Sequence, residues 1–594
     1  MNVPNLSGRR VQQSGKAAIV VLALVLLVAV GAGAWYFITH RTPSGGGDLT
    51  ARAAAMAPAQ TQVLLAFDLE NAGVPRDTQG QILGALLKSR ELKALNEEMQ
   101  KTLGMTVEED FLPWMGTSGA FFMAPAEGQQ SLLEGAEKAS GELPSFRALA
   151  VLQIRDEAQA QASLEKVQAS ASAEGGVAYR TEDLQGVPVH LPAVPGKGPA
   201  WAIHGQQLLV GFTAADLEMG LKPPASGQSL ADQAGFKAAL GQLRNSEAVL
   251  GYVDLEGLLK GAPLAEIPSP DTVTLLSAMR FVALGSGMSG RELLSDWHLG
   301  VDLEAAGPLG KKVFSTNHNI GFESAGLHSK EVDTYAAFNL RMLWDLFYEI
   351  AAGFPDGDQL RQGPALQLQS AGIDLEQDVL GVLSGELSYS ARNSGRIQAA
   401  QYEALAQGRR QDVQTALQNL REVPLTVALG LKDRAGLDRL LGKIPQVAML
   451  LSAFTVTEVE GVKVYSPPKQ EGAPEGAFAL AFSDHEILLG LNEADKSVAA
   501  ALTARKSGEN VGSLPGFAQV LAALNSDDRA FLVSFQDFGR IQAEALTELK
   551  ASQAVSPEFL QALELVSKLY GTSWHAAAFR ADGVHGVSTV EVHR

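Results

Sequence analysis

The sequence predicts an α+β protein: a single amino-terminal transmembrane helix followed by two tandem copies of a largely antiparallel sheet-plus-helix module. Three observations carry that expectation. One long uncharged run stands near the amino terminus, the order of apolar runs after residue 57 recurs after residue 330, and most successive strand-like runs are joined by connections too short for a parallel crossover. Of 594 residues 46% are hydrophobic and 19% charged, a globular composition able to bury cores.

The apolar run is Ala17 to Thr39, 23 residues without a charge. At about 1.5 Å per residue it spans a hydrocarbon core of about 30 Å. Arg9, Arg10 and Lys16 precede it, no acidic residue occurs before it, and Trp35, Tyr36 and Phe37 crowd its far end. Basic flanks stay inside, so residues 1–16 are expected to be a cytoplasmic tail and 17–39 a signal anchor in the cytoplasmic (inner) membrane. Ala32-Gly33-Ala34 has the form of a signal-peptide cleavage site, but the apolar run continues past it, as in an uncleaved anchor. Residues 40–56 begin with Pro/Ser/Gly chemistry and read as a linker. Everything beyond is expected to be periplasmic or extracellular.

The net charge is −19, and without the three tail cations the exported part is more acidic still. That sign opposes binding to phosphate backbones, so nucleic acid is excluded as a partner. With no cysteine in the chain, disulfides, thiolate metal sites and thiol catalysis are excluded too.

The repeat is long and faint. Phe67-Asp68-Leu69 answers Phe338-Asn339-Leu340, and the string Gly104 to Leu112 answers Gly372 to Leu380. Ala150 to Asp156 parallels Val427 to Asp433, each a strand-like run stopping at a basic-acidic pair, and a helix follows with Leu164, Lys166 and Val167 matched by Leu441, Lys443 and Ile444. Leu184 to His190 and Val459 to Tyr465 each carry a central glycine, the mark of a turn or bulge between strands. Trp201 to Gly211 and Leu480 to Gly490 read as hairpins, Gly235-Phe236 and Gly516-Phe517 follow helical stretches, and each copy ends in a further pair of strands. The expected boundaries are 57–303 for the first module, 304–330 for a connector without sustained periodicity, and 331–594 for the second module.

Ala57-Pro58 before an apolar strand, Leu112-Pro113-Trp114-Met115-Gly116 after an acidic turn, and the strand-Arg-Asp-helix unit at residues 150 to 167 resemble a family of bacterial membrane-anchored envelope proteins known as domain of unknown function 3352. The resemblance covers nearly all of residues 57 to 594. The second copy departs from it, since Gly381-Val382-Leu383-Ser384-Gly385 lacks both Pro and Trp. The resemblance implies an exported, anchored protein and supplies no catalytic residues.

Candidate sites are few. Gly285-Ser286-Gly287-Met288-Ser289-Gly290 satisfies G-x-G-x-x-G, but a strand-like run follows where a dinucleotide site needs a helix, so a loose hairpin loop is expected. Glu108-Glu109-Asp110 and Glu376-Gln377-Asp378 are expected in the first turn of short helices. His190 and His204 are matched in position by Tyr465 and Ser483 of the other copy, and no histidine pair outside loops has metal spacing. Ser118 lacks the glycine of a nucleophile elbow, and Asp356-Gly357-Asp358 lacks the downstream ligands of a calcium loop. The apolar stripes Leu343 to Tyr348 and Val447 to Phe454 suit a core or the edge of a pocket.

No catalytic, cofactor-binding or metal-binding residue and no cofactor is therefore assigned. The expectation is a non-enzymatic envelope protein acting through protein contacts, with the cytoplasmic membrane as one partner through residues 17–39 and an envelope protein as another. The alternative is a carrier or sensor of lipid or another apolar ligand, and an enzyme stands third.

Overall fold

The computed structural model describes residues 49–68, 106–133, 146–173, 178–194, 199–222, 224–260, 270–315, 321–342, 357–406, 423–468, 477–524 and 528–593, with single positions between 81 and 89, 262 and 267, and 344 and 348. The transmembrane expectation for 17–39 lies outside these residues. Among them no helix is long and apolar enough to cross a membrane. The chain divides at Gly307 and Pro308 into two compact units.

The strands of the first unit are β1 (Val63–Asp68), β2 (Met115–Pro125), β3 (Phe146–Ile154), β4 (Tyr179–Leu184), β5 (Val187–Pro192), β6 (Ala200–His204), β7 (Gln207–Gly211), β8 (Val249–Asp254), β9 (Met279–Ser289) and β10 (Glu292–Val301). They pair antiparallel in the lateral order β4-β5-β6-β7-β3-β2-β1-β8-β9-β10. The first strand therefore sits inside the sheet. Its residues alternate, with Leu64, Ala66 and Asp68 buried and Val63, Leu65 and Phe67 half-buried, as a period of two requires.

Against the Leu64 face lie helices Leu49–Met56, Ala214–Leu221 and Ala234–Leu240. Their Ala53, Ala54, Leu217, Met219 and Phe236 join Leu64, Ala66, Phe122, Leu149 and Leu209 in the largest core of this unit. The helix Ala214–Leu221 starts where it does because Thr213 and Asp216 form a reciprocal capping box, which satisfies backbone N–H groups that a helix start leaves open. A second core gathers Trp114, Ile154, Trp201 and Leu208. The Trp114 indole donates to the Asp110 carbonyl, and the Trp114 carbonyl accepts from Arg155 N at 2.7 Å.

The strands of the second unit are β11 (Thr334–Asn339), β12 (Leu383–Ala391), β13 (Leu425–Leu431), β14 (Thr455–Val459), β15 (Val462–Ser466), β16 (Phe478–Phe482), β17 (Glu486–Leu491), β18 (Arg529–Asp537), β19 (Tyr570–Arg580) and β20 (Gly583–Val592). Their antiparallel order is β14-β15-β16-β17-β13-β12-β11-β18-β19-β20. Helix Ala494–Ser507 covers β13, β16 and β17 through Val498 and Leu502, and ends at left-handed Gly508. Tyr335, Val533, Phe535 and Trp574 form the other main core.

Two expected boundaries are corrected. Residues 49–56 of the expected linker are a helix whose Ala53 and Ala54 are buried, and the expected connector 304–330 contains helix Gly307–Ser315 and the 3-10 turn Glu323–Leu327. Phe322, Ala325 and Leu327 belong to the cores of the second unit. A short cap on a sheet needs only a few apolar residues, too few to set up a period in the sequence.

Trp114 is 2% exposed, and its ring fills the core between β2, β3 and β6. Trp114→Ala should lower the unfolding free energy by about 3–5 kcal/mol in urea titrations. A loss below about 1 kcal/mol would mean that the ring is not buried in solution.

Candidate functional site

Strand β12, Leu-Ser-Gly-Glu-Leu-Ser-Tyr-Ser-Ala, turns polar side chains inward. Glu386, Ser388 and Ser390 are buried, while Leu387 and Tyr389 on the opposite face are half-buried. The inward polar row is met by residues from the chain just ahead of β11. His328, 1% exposed, places Nδ1 2.7 Å from Ser390 Oγ and Nε2 2.8 Å from Ser388 Oγ, and its ring centroid lies 5.0 Å from that of Tyr335. Ser324 N donates to Glu386 Oε1 at 3.0 Å, and Ser324 Oγ donates to the same oxygen.

Burial sets the protonation of this row. It pushes the His328 pKa down from 6.5 to about 3 and the Glu386 pKa up, the latter opposed by the hydrogen bonds from Ser324. The imidazole is therefore neutral. One ring nitrogen must donate and the other accept, so Ser388, His328 and Ser390 form a directed hydrogen-bond chain. A nucleophile-base pair would need a ring that takes a proton near neutral pH, with its second nitrogen oriented by a carboxylate. Both ring nitrogens here are held by hydroxyls.

Beside the chain is a pocket of about 10 Å³, with Leu327, His328, Ser390, Arg392, Thr426 and Ser497 in its wall. That is room for about one water molecule. The sequence signal for this cluster is the alternation Glu386-x-Ser388-x-Ser390 within a strand, which sequence reasoning passed over because a solvated face gives the same pattern.

The structure scatters the sequence-derived candidates. Asp110 and Asp378 lie in short helices, the single π-helical turns Val107–Phe111 and Leu375–Leu380, with Glu376 and Asp378 in the first turn of the second. Each carboxylate accepts from the backbone N–H four residues earlier and from a lysine of a later segment, Lys166 Nζ at 2.9 Å for Asp110 and Lys443 Nζ for Asp378. The lysine hydrogen bond, with the backbone one, holds each carboxyl below the usual range.

His190 on β5 stacks on Trp201, 3.7 Å between centroids and 5° between planes; burial lowers its pKa. His204 is exposed at the end of β6, and His298 is buried in β10 beside Phe281. Among the described residues no group of three or more His, Asp or Glu is placed to hold a metal ion. Ser118 Oγ donates to Gln153 Oε1 at 2.7 Å.

The glycine-rich run is corrected from a loop to a strand. Gly285, Ser286 and Gly287 lie inside β9, and a Cβ on Gly285 or Gly287 would run into Asn245 or Glu247. A two-residue turn then leads into antiparallel β10, which leaves no helix to face a pyrophosphate.

The stripe at Val447 to Phe454, left open between a core and the edge of a pocket, is not buried. Helix Pro445–Ser452 buries none of its residues, and Met449 is 70% and Leu450 52% exposed. Trp344 and Tyr348 stack at 6.3 Å, while Leu343, Asp345, Leu346 and Phe347 lie outside the described residues, as does Asp356; Gly357 opens helix Gly357–Ser370.

The chain belongs to the family described as protein of unknown function (DUF3352), whose model matches residues 19–423. The match begins and ends earlier than the stretch 57 to 594 that carries the resemblance in sequence. No curated protein matches the chain. Among solved structures, crystal form III of TP0453 aligns at 11% identity over 42% of this chain and 79% of that one, with a TM-score of 0.22. Crystal form IV aligns at 10% identity over 44% and 85%, with a TM-score of 0.21. Likeness at that level bears on neither fold nor function.

The His328 ring gains a proton near pH 6.5 when unfolded and only near 3 when folded. Between those values the unfolded chain binds more protons, so stability falls as the pH drops, with a slope approaching about 1.4 kcal/mol per pH unit. His328→Gln keeps hydrogen-bonding groups and removes the titration. In urea titrations at pH 6.5 and 4.5 the variant should lose less stability on acidification than the parent chain; equal losses would show that the ring is not held neutral.

Proposed function

From that family membership, we propose that the protein is a non-enzymatic envelope protein, anchored in the cytoplasmic membrane by residues 17–39, whose two exported units are copies of one module and act through protein contacts. The observation that carries this reading is the strand order. Counted from the first strand of each unit, both sheets run fourth, fifth, sixth, seventh, third, second, first, eighth, ninth, tenth.

Finer matches support the copies. Phe67 pairs with Gly119 and Phe338 with Leu387 at the same place in the sheet, and a bulge interrupts the second strand of each unit at Met115/Gly119 and Leu383/Leu387. Gln185-Gly186 and Glu460-Gly461 both turn with positive φ, the geometry of a tight hairpin turn. Val382 O accepts from Lys432 N as Trp114 O does from Arg155 N, and the Asp110–Lys166 pair is matched by Asp378–Lys443.

The polar row is not copied. By this register Ala57, Ala120 and Phe122 stand where the second unit has His328, Ser388 and Ser390. A chemistry shared by both units cannot rest on those residues, which favours contacts over catalysis. Carriage of an apolar ligand needs a cavity of about 300–1,000 Å³, and the pocket beside His328 is far smaller.

A reporter that folds only outside the cytoplasm, fused after Arg594, should be active, and replacing Arg9, Arg10 and Lys16 with acidic residues should reduce that activity. A fusion active only in the cytoplasm would overturn the anchored, exported reading. Native mass spectrometry of the purified chain showing a defined retained lipid would replace the contact reading with the carrier one.

A further inference from the structure

The walls of the His328 pocket supply donors without an acceptor to match. Arg392 lines it, and its guanidinium makes no hydrogen bond or ion pair among the described residues, although the chain carries an excess of acid. Ser497, 3% exposed on helix Ala494–Ser507, has its hydroxyl buried without a partner. A buried hydroxyl left unpaired is costly, so an occupant that accepts from it is favoured. Ser390 is the third group. When His328 carries its proton on Nδ1 and donates it to Ser390 Oγ, the Ser390 hydroxyl is free to donate into the pocket, while Ser388 donates to Nε2.

We propose that this pocket binds a carboxylate group, one oxygen entering between Ser390 and Ser497 and the other meeting the Arg392 guanidinium. Two features select the class. Converging hydroxyls and a planar guanidinium fork suit a planar, charged acceptor. Room for about one water admits a single oxygen, so the second oxygen must be met outside the pocket, where Arg392 stands at its wall. The ligand also acts on the histidine, since an acceptor in the pocket favours the tautomer protonated on Nδ1. Binding is thereby reported at the ring nitrogens, through the hydrogen bond that the ring makes with Ser390.

The carboxylate can come from a small free acid or from the carboxyl terminus of a peptide. The test is titration of the full chain in detergent, with the His328 ring nitrogens followed by NMR. The probes are sodium acetate, a short peptide with a free carboxyl end and the same peptide amidated, with sodium chloride at matched ionic strength as control. Saturable conversion toward the Nδ1-protonated form, by acetate or by the free-ended peptide but not by the amidated one, supports the proposal and tells the two sources apart. Arg392→Gln should weaken binding at least tenfold. Ser497→Ala should weaken it several-fold while leaving the thermal midpoint unchanged or raised, because it removes an unpaired hydroxyl. The proposal fails if neither carboxylate saturates, if chloride acts equally well so that the occupant is a bare anion, or if Arg392→Gln binds like the parent.

Discussion

Each unit depends on the pairing of its first strand between two strands that come much later in the chain. β1 takes β2 on one side and β8 on the other, and β11 takes β12 and β18. Until these pairings form, the helices have no apolar face to cover, because Leu64 and Ala66 in one unit and Tyr335 and Ala337 in the other present that face only when flanked. The loops closed are long, and their entropy must be met before the non-local contacts give anything back. Burial around the first strand therefore carries the stability on which every other element rests.

Charge contributes little to the stability of each unit. Lys166–Asp110, Arg341–Glu376 and Arg396–Glu548 each have at least one side chain well exposed, where an ion pair is worth at most about 1 kcal/mol. Among the described residues, Arg580–Asp528 is buried on both sides, with both oxygens of the carboxylate held by the guanidinium at 2.8 and 3.0 Å. Surface acidity is therefore free to serve solubility rather than the fold.

The buried polar row of β12 reads against this background. Three polar residues on the inner face of a strand are tolerable because partners arrive for them: His328 between two serines, and Ser324 on Glu386. Where Ala120 and Phe122 occupy the inner face of β2, apolar packing does the same work. The polar version leaves a water-sized space with unused donors beside it, which a fully apolar core would not. A binding function, if it resides here, belongs to the second unit alone.

Many of the strand positions, the hairpin glycines, the lack of cysteine and the acidic balance were determined by sequence, because period-two burial, positive φ and composition are local properties, whereas the glycine-rich end of β9 reads as a loop until its partners β8 and β10 are in place. Which side of a strand is covered is not local. The row Glu386-Leu387-Ser388-Tyr389-Ser390 looks in sequence like a strand with its serines in water, and only the arrival of His328, from 60 and 62 residues away, lets those hydroxyls turn inward. Phe322, Ala325 and Leu327 likewise become core only when the sheet stands beneath them, while Met449 and Leu450, as apolar as any core residue, stay exposed because no element among the described residues packs over that side of their helix. Burial is a property of pairs of surfaces, and a single sequence records each surface without its partner.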